Sequence, residues 1–109
     1  MSHETSITIA LSDVPMAKMH ACAAGDREIL VCRTKQGIFA VDNICTHAYA
    51  RLNEGRLRGT RLICPLHGAS FDVRDGRVLG APATTPLLTH AVNVTDGRIE
   101  ISISSTATK

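Results

Sequence analysis

Arg61-Leu62-Ile63-Cys64-Pro65-Leu66-His67-Gly68-Ala69-Ser70-Phe71-Asp72-Val73 holds two short apolar runs around a loop that carries one cysteine and one histidine. Arg61 to Ile63 and Ser70 to Val73 read as strands. Cys64 to Ser70, with its Pro and Gly, cannot continue either of them. An earlier segment has the same ingredients. Cys45-Thr46-His47 lies in a loop from Asp42 to Gly55, and sixteen residues separate His47 from Cys64. Each loop thus offers one thiolate and one imidazole.

The rest of the chain is a series of short strands broken by turns. Strands are expected at Ser6 to Leu11, Lys18 to Ala24, Arg27 to Arg33, Gly37 to Val41, Arg77 to Leu79, His90 to Val94 and Arg98 to Ile103. Gly25-Asp26, Asp75-Gly76 and Asp96-Gly97 are tight-turn signals that pair the strands on either side into hairpins. Leu52-Asn53-Glu54 allows one short helical turn, and no window of helical periodicity runs further. Gly80 to Pro86 contains Pro82 and Pro86 and reads as a stiff, extended connection. The expected fold is all-β: an antiparallel β-sandwich or small barrel. At 109 residues the chain is expected to form a single domain, residues 1–109, with room for one core and no second catalytic unit.

Composition narrows the function classes. Charged residues make up 20% and the formal net charge is +2, with no polybasic tract of the kind that binds nucleic acid. No run approaches the roughly 18 apolar residues of a membrane span. The first residues lack the basic start and apolar run of an export signal, so a cytoplasmic location is expected. In that compartment four cysteines read as metal ligands or buried thiols before disulfides. A two-residue turn at Gly25-Asp26 would set Cys22 opposite Ile29 and point Cys22 and Cys32 to opposite faces, leaving both as small core residues. Cys45 and Cys64 remain for chemistry.

The set Cys45, His47, Cys64 and His67 matches what a [2Fe-2S] cluster needs when two Cys hold one iron and two His the other. Thiolates stabilise ferric iron, and neutral imidazoles leave the second iron to receive the electron. A structural zinc site also accepts two Cys and two His, but Cys-x-His is tighter than the usual spacing of paired zinc ligands. A Cys–His nucleophile would leave the second pair unexplained.

Asn43-Ile44-Cys45-Thr46-His47 and Cys64-Pro65-Leu66-His67-Gly68-Ala69-Ser70-Phe71-Asp72 resemble the two ligand boxes of Rieske proteins. Leu11-Ser12-Asp13-Val14-Pro15, Gly37-Ile38-Phe39-Ala40-Val41-Asp42-Asn43 and Asp96-Gly97-Arg98-Ile99 resemble framework segments of the stand-alone Rieske ferredoxins. These are electron carriers of bacterial aromatic-ring-hydroxylating oxygenase systems. The resemblance implies a Rieske fold with a cluster-binding subdomain of two ligand loops at about residues 43–82. It implies that Cys45 and Cys64 bind the buried iron and His47 and His67 the outer one, with Pro82 in a third loop covering the cluster. It implies a low-potential, non-enzymatic carrier, monomeric, between an NAD(P)H-dependent flavin-containing ferredoxin reductase and a Rieske terminal oxygenase. A small subunit of an assimilatory nitrite reductase is the alternative, although many of those lack cluster ligands that are all present here.

High-potential members of the family add a disulfide at the positions of Ala50 and Leu66, and Ser and Tyr hydroxyls at those of Ala69 and Phe71. All are absent. Hydrogen bonds to cluster sulfur raise the potential. The resemblance therefore implies a value near the low end of the Rieske range, roughly −150 mV. From Cys45 to Gly80 six arginines face three acids, which points to an acidic docking partner or to a solvated set of turn charges. His3, His20 and His90 read as ordinary surface or strand residues.

Overall fold

The computed structural model describes residues 5–46 and 49–104. Its ten strands are β1 (Thr5–Ala10), β2 (Met19–Ala24), β3 (Arg27–Thr34), β4 (Gly37–Asp42), β5 (Arg56–Arg58), β6 (Arg61–Ile63), β7 (Ser70–Asp72), β8 (Val78–Gly80), β9 (Thr89–Thr95) and β10 (Arg98–Ile103). Two single 3-10 turns, Leu11–Asp13 and Leu52–Glu54, interrupt them. The fold is all-β, as expected. Six strands form one antiparallel sheet in the order β1-β10-β9-β4-β3-β2, and four form a second in the order β5-β6-β7-β8. The edge strands β1 and β2 of the larger sheet meet, so it curls into a nearly closed barrel.

Alternation explains the barrel's interior. In β10 Ile99, Ile101 and Ile103 are buried while Arg98, Glu100 and Ser102 are exposed. Ile9 and Ile7 of β1 lie directly opposite Ile99 and Ile101. These residues join Val14, Ile29, Val31 and Ala40 in one apolar core. β3 breaks the alternation, with Ile29, Leu30, Val31 and Cys32 all fully buried. A strand covered on both faces needs apolar residues on both. Ile29 and Val31 face the barrel core; Leu30 and Cys32 belong to a second core with Leu62, Phe71, Cys45 and Cys64. β3 and β4 are thus a shared wall on which the smaller sheet rests.

The hairpin turns divide into two kinds. Gly25-Asp26 joins Ala24 to its partner Arg27, and Asp96-Gly97 joins Thr95 to Arg98, both as tight two-residue turns. Asp96 and Gly97 have φ of 51° and 77°, the left-handed pair that this turn requires. As expected, Cys22 sits opposite Ile29, and Cys22 and Cys32 pack against different cores.

Asp75-Gly76 differs from the expectation. A two-residue turn there would pair Arg74 with Arg77, but Phe71 pairs with Val78 and Ser70 with Gly80, with a register shift between them. The wider loop is organised by Asp72. Its carboxylate accepts the Arg74 N–H at 2.9 Å and its carbonyl accepts the Gly76 N–H at 2.7 Å. Gly76 is also tied outward, because its carbonyl accepts the Leu87 N–H at 2.8 Å. A buried side-chain anchor therefore overrides the local preference of the dipeptide. β5 is a second addition: Arg56–Arg58 pairs with β6 although its three residues give little pattern of their own.

Candidate metal centre

The two ligand loops are closed in the same way. The Cys45 N–H donates to the Ala50 carbonyl at 2.9 Å, and the Cys64 N–H donates to the Ala69 carbonyl at 2.7 Å. In each, the cysteine donates to the residue five positions on. In the second loop the four residues between, Pro65-Leu66-His67-Gly68, form an exposed tip. His67 and Gly68 adopt left-handed φ of 63° and 75°, which turns the chain back sharply. His47, predicted as the first loop's histidine, lies outside the described residues.

The first loop is held at its base. Asn43 is fully buried, its carbonyl accepts the Leu52 N–H at 2.7 Å, and Ile44 bridges to Arg51. The Asn43 side chain donates to Asn53 Oδ1 at 2.8 Å, and its Oδ1 accepts the Asn53 N–H at 2.9 Å. Arg51 clamps Glu28 of β3 through two nitrogens, at 2.8 and 3.1 Å, and this hydrogen bonding holds the Glu28 carboxyl below its ordinary range. Thr46 Oγ1 donates to the Thr85 carbonyl at 2.7 Å, which ties the first loop to the Gly80–Pro86 connection. Ala83 and Leu87 of that connection and its exit lie in the same core as Cys45 and Cys64. Pro82, one residue earlier, is exposed and follows a cis peptide bond.

Cys45 and Cys64 are 4% and 2% exposed, whereas His67 and Leu66 stand on the exposed tip. Burial pushes the Cys64 thiol up; the Leu66 N–H, 3.5 Å from Cys64 Sγ, acts in the other direction, and the neighbouring Cys45 thiol pushes it up further. The two thiols therefore interact directly. Among the described residues, no three His, Cys, Asp or Glu side chains converge as the ligands of a single ion would. Two adjoining buried thiols with a histidine on an exposed tip fit a two-iron group, soft donors at one end and imidazole at the other. Cys32, elsewhere in the same core, is a fully buried thiol whose pKa burial pushes up to about 12, which makes it an inert packing residue.

The chain matches the Rieske [2Fe-2S] domain family over residues 5–96. It is a member of that family. The Rieske domain thus carries a Rieske-type [2Fe-2S] cluster, for which two Cys and two His are the characteristic ligands. The domain is 37% identical over 71 residues to the ferredoxin component of the naphthalene 1,2-dioxygenase system of Pseudomonas aeruginosa, covering 65% of this chain and 68% of that one. It also superimposes on a chain from the solved complex of reduced oxygenase and oxidized ferredoxin in carbazole 1,9a-dioxygenase. There the TM-score is 0.86 at 28% identity, covering 94% of this chain and 97% of the other. A putative NADH-dependent nitrite reductase small subunit from Mycobacterium tuberculosis shares the fold, with TM-score 0.81 at 18% identity over 96% of this chain and 100% of the other.

Sequence reading missed two anchors of this Rieske domain. His90 is not an ordinary strand residue: its side chain is fully buried, Nε2 lies 2.9 Å from Asp42 Oδ1, and Nδ1 accepts the Ser104 N–H at 3.0 Å. Arg27 donates to the same Asp42 oxygen at 3.1 Å and to the Ser104 carbonyl at 2.9 Å. Burial works against ionisation of Asp42, but His90 and Arg27 outweigh it and hold the carboxyl below its usual range. Asp42 immediately precedes the first ligand loop, so this network fixes where that loop leaves the wall. The second anchor is Asn43, whose pairing with Asn53 has no signal in the local pattern. His20 is half-buried on β2, in keeping with a strand residue, and His3 lies outside the described residues.

Proposed function

We propose that this Rieske domain is a low-potential electron carrier that takes single electrons from an NAD(P)H-dependent flavin reductase and delivers them to a terminal ring-hydroxylating oxygenase. Cys45 and Cys64 would hold the buried iron, and His47 and His67 the outer one. The bound cluster supplies reversible one-electron chemistry. The chain's own contribution is to bury the thiol end, present the histidine end to solvent, and keep both loops in one arrangement. The observation that carries this reading is the contrast between the buried Cys45–Cys64 pair and the exposed tip that bears His67. The naming of its relative as a ferredoxin component of a dioxygenase system supports the choice of partners. Ala69 and Phe71, both fully buried in the core shared with the thiols, support the low potential, because neither brings a hydroxyl there. A monomer in the cytoplasm suits a shuttle that meets a pyridine-nucleotide-dependent donor and then an acceptor. The resemblance to a nitrite reductase small subunit is one of fold alone.

The test is reconstitution. The purified holoprotein should be coloured, accept one electron per chain from NADH through a flavin reductase, and pass it to an oxygenase that then turns over. Cys45→Ser, Cys64→Ser and His67→Ala should each abolish the visible spectrum or shift it strongly. A colourless protein with stoichiometric zinc would overturn the cofactor assignment. Electron delivery to a sirohaem nitrite reductase, with none to the oxygenase, would overturn the choice of partner.

A further inference from the structure

The outward face of the smaller sheet is where the chain departs from an ordinary solvated surface. On β5, β6 and β7 the residues Leu57, Leu62 and Phe71 are mutual neighbours that turn inward to the core. The alternate residues face out. Arg58 lies directly opposite Arg61, which lies directly opposite Asp72, and Arg56 stands two residues before Arg58 on the same face. Arg74 and Arg77 cover Asp72 from the edge, at 2.7 and 3.6 Å, leaving the carboxylate only 3% exposed. The single carboxylate of the row is therefore already saturated. Arg61 donates to Ser70 Oγ at 2.7 Å, and among the described residues none of Arg56, Arg58 and Arg61 is in an ion pair.

Like charges directly opposite one another on adjacent strands destabilise a sheet. Arg58 and Arg61 do so on a face where Asp72 has no capacity left. Position adds to this. Ile63, opposite Arg56, is followed at once by Cys64, so the Arg56 end of the row runs into the loop bearing His67. A protein seated on the arginines would lie beside the histidine tip. The face carries no aromatic side chain on which a nucleic-acid base could stack, and guanidinium forks match carboxylates in bidentate geometry.

We propose that Arg56, Arg58 and Arg61 form the docking surface for a cluster of carboxylates on the terminal oxygenase. The proposal rests on the electron-carrier reading above and names the surface by which that partner is recognised. A carboxylate inserted between Arg58 and Arg61 would relieve their repulsion in the complex, and the charge pairing would speed association.

The test uses the cluster-loaded protein, Arg56→Glu/Arg58→Glu, and Arg56→Lys/Arg58→Lys. In the first, the carboxylate introduced in place of Arg58 would face Arg61, so thermal stability should rise while the visible spectrum and iron content stay unchanged; the potential of each variant is measured so that rates are compared at known driving force. Electron transfer from the reduced carrier to the oxygenase, followed by stopped flow at low salt, should slow about tenfold or more. The wild-type rate should fall with ionic strength and the glutamate variant's should not; the lysine variant, which keeps the charge but not the fork, should keep the ionic-strength dependence. An oxygenase rate that is salt-independent, or unchanged in the glutamate variant, would overturn the proposal. So would an effect confined to reduction by the flavin reductase, or to binding of a short DNA duplex. If no electron reaches the oxygenase from the wild type, the carrier reading itself has failed.

Discussion

Ala69→Ser combined with Phe71→Tyr should raise the reduction potential of the bound cluster. Both side chains are 0% exposed and lie in the core that contains Cys45 and Cys64. Ala69 closes the second ligand loop by accepting the Cys64 N–H, and Phe71 lies opposite Leu62 on the inward face. New hydroxyls would therefore enter a dry space beside the thiol end. Reduction adds one negative charge. A hydrogen bond to a charged acceptor contributes about 1.5–3 kcal/mol against about 1 for a neutral one, so each hydroxyl should favour the reduced state by about 1 kcal/mol. For a one-electron couple about 1.36 kcal/mol corresponds to 59 mV, which gives roughly 45 mV per hydroxyl and roughly 90 mV for the pair. Protein-film voltammetry on wild type, both single variants and the double variant measures it directly. Thermal unfolding supplies the control, since a buried hydroxyl without a partner costs about 1–3 kcal/mol. A potential that stays level or falls, in a variant with an intact visible spectrum and wild-type stability, would refute the reasoning.

Three further outcomes follow from particular anchors. Asp72→Asn should destabilise the fold by about 2–3 kcal/mol in urea titrations, because the 72–77 loop loses its charged hydrogen bonds to Arg74. Those bonds hold the Asp72 carboxyl below its ordinary value, so its stabilisation is complete above the unfolded value of about 3.9 and is lost as pH falls through the folded one. The variant should accordingly lose less stability on acidification than wild type; parallel acid curves would exclude Asp72 as a source. His90→Ala should cost about 2–4 kcal/mol and release the Ser104 amide to faster hydrogen exchange, since the imidazole is that amide's acceptor. Unchanged exchange at Ser104 would argue against the network. Gly55→Ala would drive a Cβ into the Ile63 carbonyl, immediately before Cys64, at a cost of about 1–3 kcal/mol. Iron content per chain should fall with it, and full cluster occupancy would show that the close approach is dispensable.

What was legible in the sequence was local. The tight turns Gly25-Asp26 and Asp96-Gly97 state their geometry in two residues, and the isoleucines of β10 state their face by alternation. The candidate ligands rest on residue type and spacing. Of these, the structure sets Cys45 and Cys64 in one core and His67 on an exposed tip, and His47 lies outside the described residues. What escaped depends on partners distant in the chain. His90 looked ordinary because Asp42 is 48 positions away. Asp75-Gly76 carried a strong local signal, but the buried Asp72 carboxylate and the bond from Leu87 to Gly76 outweigh it. Arg56-Leu57-Arg58 has only one inward residue, and becomes a strand only because β6 is there to pair with it.

The shared wall explains how so small a domain can hold its thiols in place. β3 and β4 face a core on each side, so movement of either strand would disturb both. Asp42 ends β4 under the grip of His90 and Arg27, and Asn43 follows, buried and paired with Asn53. Two residues later comes Cys45. The first loop therefore leaves from a point held by packing and hydrogen bonds, and the second rises from β6, whose Leu62 is packed in the same core. Supporting hydrogen bonds of this kind fix ligand orientation and tune the bound metal. A carrier gains from that arrangement, because ligands already held in position need little rearrangement when an electron arrives or leaves. On the proposed reading the exposed His67 tip requires no such burial, since it would face the partner. Rigidity at the thiol end and access at the histidine end are thus two consequences of setting both loops on one wall.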